Sequence, residues 1–488
     1  MQRWLQLSKY GVFSFVFPLV VYILSLQKYA GGGGFNVIAT QFSMWKYHSF
    51  SIGAQGHPLE IVIGGNSPDT FLFDGKYFSD YSPGQSLVSF PFAIVGFILD
   101  GGVLKPSGFA VLSDELFLAV CAGAASFLVY RISLWYSGRL ESLLAGLTLA
   151  LGTAVWPFAA TTYDHTATLV FSLLSTYLVM RHSRNAESDW NLVFAGLALG
   201  VSALIDYVSM LLAFPLLAYL LVKNRESDHR AWVKRLSTFI GPFLAVAGVN
   251  LVYNYVNFGS AITFPEQFFK GAPKSSLAGL LSRFSLASLA SHVVFNLISP
   301  YRGLLLLSPV LILGMYGLYK MVTLNEYRLD SVLFISLFVM NLLPYSAWDD
   351  WDGGWSYGPR FLIYGLPYLV IPIGFVLWKN RSRLARILFA GLFSISSVLQ
   401  GAGAFVGAAQ PSSSNMLLYQ PFAQAFPELQ QSSLGVWWSV NSHPRLCILI
   451  VILVFAVILV SVWYLTFLRT TSANADGTMT YRTTHATV

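Results

Sequence analysis

Charge is scarce in this chain. Only 10% of its 488 residues are Asp, Glu, Lys or Arg, where a soluble domain carries about a quarter. With 55% hydrophobic residues, 16% aromatic residues and a mean hydropathy of +0.61, that shortage excludes a string of soluble modules. Cysteine is scarcer still: Cys121 and Cys447 both lie within apolar runs. They read as buried structural thiols rather than a disulfide framework, and they say little about redox compartment. There is no CxxC, no Cys/His spacing for a metal, no GxxxxGK[ST] and no GxGxxG. No soluble nucleotide-binding module is therefore visible.

What is present is a succession of apolar runs. They lie near 10–29, 84–99, 114–132, 142–162, 164–180, 191–206, 207–222, 236–256, 303–322, 329–347, 361–378, 387–407 and 446–468. A crossing helix needs roughly 20 residues. The run SLVSFPFAIVGFIL (86–99) is short, follows Pro83-Gly84 and contains Pro91 and Gly96. It predicts an interfacial or re-entrant helix over 84–100. The fold class expected is all-α and polytopic, with about 12 transmembrane helices, in one membrane domain over 1–470. A polar, disordered tail is expected over 471–488. The opening, basic then apolar, lacks a small-residue cleavage pair and reads as an uncleaved first span.

Charge sorting tests this arrangement. With both termini cytoplasmic and 86–99 not crossing, the inner segments carry 19 Lys+Arg and 8 Asp+Glu, the outer ones 10 and 14. The split is +11 inside and −4 outside, as positive-inside sorting demands. The net charge of +7 is thus mostly topology and calls for no nucleic-acid partner. An alternative, with the N-terminus outside and 86–99 crossing, places 20 basic residues inside and 9 outside. It would separate the acidic 30–83 loop from the acidic 348–360 loop. In the preferred arrangement the long outer segments are 30–83, 257–302, 348–360 and 408–444.

Polar groups recur at that outer boundary. DTFLFDGKYFSDYSPG (69–84) holds Asp69, Asp74 and Asp80 among aromatics that include Tyr77. Its Asp-Gly pair needs nothing beyond a turn to explain it. In YDHTATLVFSLL, Asp164 suits the first turn of a helix through the dipole, with His165 beside it. Asp206 stands between two apolar runs, where an acid needs a cavity or a partner. The stretch WDDWDGGWSYGPRF (348–361) holds three acids, Gly353-Gly354, Trp355, Tyr357 and Arg360. Interfacial tryptophans are ordinary anchors, and an arginine at a helix end can simply snorkel. Together with Arg302 in SPYRGLLLLSP, the set suits a phosphate at the membrane surface joined to a hydroxyl-rich group outside it.

The ordered series YDGKYFSDYSPGQSLVSFPF, LGTAVWPFAATTYDHTATLV, ALGVSALIDY, YNYVNFGS, SPYRGLLLLSPVL and WDGGWSYGPRFLIYGLPYLVIP resembles prokaryotic integral-membrane glycosyltransferases of the GT-C fold. These are relatives of the protein mannosyltransferases and the lipid A aminoarabinose transferase. The resemblance runs over about 10–380 and implies a GT-C-like fold in the plasma membrane. It implies transfer of a sugar from a polyprenyl-phosphate donor to a lipid, glycan or protein acceptor, at the extracytoplasmic face and with inversion. Asp74, Asp80, Asp164 and His165 become the catalytic candidates. Arg360, Arg302, Tyr357, Tyr77, Trp355 and Asp206 become the substrate-binding ones. Some superfamily members use a divalent metal, but no ligand set in this sequence compels one. Gly53 stands where relatives of this subfamily often have an acid, and Tyr81 where a lysine is common. The rival readings are a transporter or flippase of lipid-linked sugars, which would put charge at mid-bilayer, and a non-catalytic protein of the same fold.

Overall fold

The computed structural model describes residues 9–26, 32–54, 69–105, 108–185, 188–225, 228–271, 281–300, 302–354, 356–406 and 444–473. It is mainly helical. Five described helices are long and apolar enough to cross a membrane: Phe109–Ser133, His229–Phe258, Arg328–Ala347, Arg360–Lys379 and Arg383–Phe405. Shorter apolar helices include Lys9–Ser25, Gly84–Leu99, Trp190–Ile205, Tyr207–Lys223 and Leu311–Thr323. The helices Arg139–Leu151 and His165–Asn185 are almost wholly enclosed by their neighbours.

The expected short helix is seen at Gly84–Leu99. Sixteen residues rise only about 24 Å, less than the roughly 30 Å of a hydrocarbon core. It leans on backbone rather than side chains. A methyl on Gly84 would strike the carbonyl of Leu204, and one on Gly96 would strike the main chain of Ala110. The 142–162 run does not form one span: its helix ends at Leu151 and, after Gly152, a separate short helix runs from Val155 to Ala159. The last helix, Pro444–Ala473, extends past the expected start of the tail at 471, and the rest of that tail lies outside the described residues. So does the 408–444 loop, apart from its last residue.

The core runs through the middle of the bundle, where the helices Phe109–Ser133, His165–Asn185, Trp190–Ile205 and Leu366–Lys379 bury Leu, Ala, Val and aromatic side chains on one another. Cys121 sits in it, buried and free. The named strands among the described residues form one three-stranded antiparallel sheet in the first long loop. Its strands are β1 (Gly53–Ala54), β2 (Thr70–Phe73) and β3 (Lys76–Ser79), in the order β1-β3-β2. Phe71 and Phe78 of this sheet join Tyr253, Phe258 and Phe268 in a separate aromatic cluster. That cluster ties the first long loop to the one after the His229–Phe258 helix.

Two ends of the bundle carry buried charge. At one, Asp330 opens the helix Arg328–Ala347. It accepts hydrogen bonds from the hydroxyls of Tyr136 at 2.9 Å and Tyr219 at 2.7 Å, and from Arg184. At the other end, about 25 Å along the same helix, Trp348 enters the candidate site.

Candidate functional site

A cavity of about 590 Å³ opens where four segments meet. Asp80, Tyr81 and Ser82 line it from the strand-to-helix connection, and Asp164 and His165 from a helix start. Asp206, Tyr207 and Val208 come from the break between two helices, and Trp348, Asp350, Arg360 and Phe361 from the second acidic loop. The segments around 80 and 350, both expected at the outer boundary, therefore line one cavity.

Local structure explains each placement. Asp80 follows β3; its amide donates to the Asp69 carbonyl at 3.2 Å, and Asn36 Nδ2 donates to the same oxygen at 2.8 Å. Ser82 Oγ then donates to Leu204 O at 3.0 Å and to Ile205 O, binding this segment to the Asp206 corner. Gln85 Nε2 donates to Thr162 O at 3.1 Å and to Asp114 Oδ2 at 3.0 Å, binding it to the Asp164 corner. Asp164 sits immediately before the helix His165–Asn185, whose Ala167 and Thr168 amides donate to its carbonyl. Its carboxylate Oδ1 is 2.8 Å from His165 Nδ1. The imidazole is walled by the rings of Phe158, Tyr163 and Phe361.

Arg360 begins the 3₁₀ turn after Pro359. Its guanidinium lies 5.2 Å from the Tyr163 ring centre and 4.8 Å from that of Phe361, positions where cation–π attraction holds it flat. Its buried Nε has no hydrogen-bond partner. Gly353 (φ 72°) backs onto it, and a Cβ there would come within 2.9 Å of Arg360 Cγ and Nε.

The acids here are unevenly satisfied. Asp80 Oδ1, Asp164 Oδ1 and Glu266 Oε2 are buried and lack a geometrically proper hydrogen bond. Burial pushes the Asp80 carboxyl well above the usual carboxylate range. Nearby Asp69 pushes it the same way, and Arg360 opposes them. Asp69 is also raised, by burial first, with Arg360 again opposing. Asp206 differs: Oδ1 accepts from the Val208 amide at 2.9 Å and Oδ2 from the Tyr345 hydroxyl at 2.6 Å. It caps the following turn and fixes Tyr345, which stacks on Phe361 at 4.4 Å.

Several expected site residues stand elsewhere. Asp74 occupies the exposed β2–β3 turn at φ 47° and does not line the cavity, because Asp-Gly here serves the turn. Tyr77 is on β3, packed against the small cluster around Ile52 and Phe97. Arg302 is fully buried and donates to the carbonyls of Ser356, Gly358 (3.1 Å) and Gly354, and to Ser356 Oγ at 3.1 Å. It staples the second acidic loop rather than facing a phosphate. Tyr357 is buried, its hydroxyl donating to Leu399 O at 2.8 Å. Trp355 lies outside the described residues.

The residue sequence reasoning missed is Glu266, on the short 3₁₀ helix Pro265–Gly271. Beside it, Arg283 grips Asp349 through Nε and Nη2 at 3.0–3.2 Å, donates to Glu266 O at 3.0 Å and covers the Trp348 ring at 4.5 Å. The PEQFF signal is too ordinary to have marked Glu266. Although five carboxylates line the cavity, among the described residues no three His, Cys, Asp or Glu side chains converge closely enough to hold a metal ion.

Away from the charged groups the cavity wall becomes apolar: Ala203, Met210, Leu244, Ala247 and Leu251. Met210, Leu244 and Leu251 are also exposed at the surface of the bundle. Charge at one end and hydrocarbon at the other describe an amphiphile.

Residues 103–253 match the family model of the dolichyl-phosphate-mannose-protein mannosyltransferases. ArnT from Cupriavidus metallidurans bound to undecaprenyl phosphate superposes with a TM-score of 0.55 at 16% identity, over 95% of this chain and 79% of that one. The apo form of the same protein gives 0.50 at 17% identity, over 93% and 76%. The chain has the GT-C fold. Over 103–253 the chain is similar to that mannosyltransferase family, and over most of its length it shares the ArnT fold. No curated protein sequence matches it. Gly53, where an acid is common in GT-C relatives of this subfamily, pairs with Tyr77 in the sheet and does not line the cavity.

Proposed function

We propose that the chain transfers a sugar from a polyprenyl-phosphate carrier to a hydroxyl-bearing lipid, glycan or protein, at the extracytoplasmic face. The observation that carries this reading is the meeting of Arg360 with Asp80, Asp164 and His165 in one cavity whose far wall is apolar. A bound carrier would lay its phosphate at Arg360, its prenyl chain along Met210, Leu244 and Leu251, and its sugar among the acids.

In the reaction, the acceptor oxygen bonds to the anomeric carbon as the bond from that carbon to the phosphate oxygen breaks. The electron pair leaves with the phosphate, and the configuration inverts. Arg360 stabilises the charge that grows on the departing phosphate, a role its planar fork and permanent charge suit. The acceptor proton passes to a carboxylate. Asp164 is the better base, because it is braced by His165, whereas burial and Asp69 favour the protonated form of Asp80. The products are the glycosylated acceptor and free polyprenyl phosphate.

Supporting the enzyme over a flippase, the unsatisfied charged atoms that line the cavity sit at a helix start and in short turns. The unpartnered oxygens of Asp114 and Glu115 lie inside the helix Phe109–Ser133, away from the cavity. The test is a transfer assay with purified protein, undecaprenyl phosphates carrying mannose, glucose or 4-amino-4-deoxyarabinose, and membrane lipid extract as acceptor. Release of undecaprenyl phosphate that is lost in Arg360→Ala supports the reading. Translocation without bond cleavage would replace it with the transporter.

A further inference from the structure

Glu266 is a carboxyl group without a structural occupation. Its backbone is fixed from several directions. Arg283 donates to its carbonyl at 3.0 Å, and Gln267 Nε2 donates to Ile262 O at 3.0 Å. Phe264 packs edge-on against Tyr207, and Phe268 stacks on Phe71 at 4.4 Å. With the main chain held on both sides, the side chain is free to have served as a cap or an ion pair. It does neither: Arg283, the nearby cation, spends its side chain on Asp349 and on the Glu266 carbonyl, and Oε2 is enclosed with no partner.

An orphaned buried polar atom costs roughly 1–3 kcal/mol, so a sequence that keeps one at a cavity wall keeps it for a ligand. The other carboxyls on that wall are Asp80, Asp164, Asp206 and Asp350, against the guanidinium of Arg360. Burial holds Glu266 well above the usual carboxylate range. A bond from its own backbone opposes this, and the charges of Asp80, Asp206 and Asp164 reinforce it. A protonated carboxyl is a hydrogen-bond donor, and the cavity is otherwise rich in acceptors.

We propose that Glu266 is a specificity-determining residue of the sugar subsite, its carboxyl donating a hydrogen bond to an oxygen of a neutral, hydroxylated sugar. A uronic acid would bring a further negative charge beside the acids Asp164 and Asp350 and is rejected. The proposal rests on the donor reading above, and its test separates the two.

Binding of four probes to purified protein is measured: undecaprenyl phosphate alone, and undecaprenyl phosphate carrying mannose, glucose or glucuronic acid. The variants are Glu266→Gln, which keeps a donor, and Glu266→Met, which keeps the shape without one. In the wild type, a neutral sugar lipid binds more tightly than the bare lipid and than the glucuronic acid form. Glu266→Met loses about 3- to 10-fold on the neutral sugar lipid and nothing on the bare lipid, which also certifies its fold. Glu266→Gln stays close to wild type. Equal loss on bare and sugar-bearing lipid, or Gln behaving like Met, overturns the role of Glu266 while leaving the donor reading intact. A wild type that prefers glucuronic acid overturns the selectivity. A wild type that binds no sugar lipid better than the bare one overturns the donor reading and the proposal with it.

Discussion

Asp330 and Asp164 are both buried acids at the start of a helix, at opposite ends of the bundle, yet their surroundings differ in kind. Asp330 receives two tyrosine hydroxyls and Arg184, which itself stacks over Trp135 at 4.7 Å. Every part of that carboxylate is spent on holding helices together. Asp164 Oδ1 lies 2.8 Å from His165 Nδ1 but makes no well-aligned hydrogen bond, and the residue lines a cavity. Burial alone therefore does not mark a working acid. Only a buried acid that is both short of partners and on the cavity wall is a candidate to meet a substrate; Glu115, buried with both oxygens unpartnered, does not line the cavity.

The contrast can be broken by exchanging readouts. The largest expected effect is on turnover: Asp164→Asn keeps the shape and removes the proton acceptor. Sugar transfer should then fall about 100-fold or more, with the melting temperature nearly unchanged. Transfer at the wild-type rate would mean Asp164 is as architectural as Asp330. Conversely, Asp330→Ala strands Arg184 and two hydroxyls. Arg184 is partly exposed, so the loss is mainly that of the two buried hydroxyl bonds, about 1–3 kcal/mol; denaturant unfolding should shift while the folded fraction still turns over normally.

A smaller effect is expected at Gly353. Its φ of 72° disfavours any side chain, and a methyl would press on Arg360. Gly353→Ala should weaken donor use by about 10-fold, on the scale of 1.4 kcal/mol, without the complete loss seen in Arg360→Ala. Measuring the KM for a sugar lipid separates the two. The smallest effect concerns pH. Asp80 has a folded pKa raised by burial, so the native state keeps a proton that the unfolded chain loses near pH 4. Its contribution to stability is complete below that pH and is lost as pH rises toward the folded pKa. Asp80→Asn should flatten this part of a plot of melting temperature against pH. An unchanged slope would place the burden on Asp69 or Glu266.

The sequence made some of this legible, and the reasons are physical. Charge is so rare in the chain that Asp80, Asp164 and Arg360 stand out at the ends of apolar runs, and all three line the cavity. Asp74 stood out equally, but its Asp-Gly pair was a turn signal and nothing more. Arg302 was legible as an arginine at the outer boundary. What the pattern could not reveal is that the loop 354–358 turns its carbonyls inward to meet it. Glu266 was hidden because its meaning lies in tertiary approach. Nothing within PEQFF distinguishes it from a solvated loop acid, and only the folded chain brings it to Asp80 and Asp206.

The aromatic cluster of Phe71, Phe73, Phe78, Phe258 and Phe268 has a mechanical corollary. It welds the β-hairpin to the turn that bears Glu266. A rearrangement admitting a bulky acceptor would have to carry both as one plate or tear several ring contacts at once. Asp80 and Glu266, carried on that plate, would keep their mutual register in any such movement, so the mouth could widen without retuning this pair on the cavity wall.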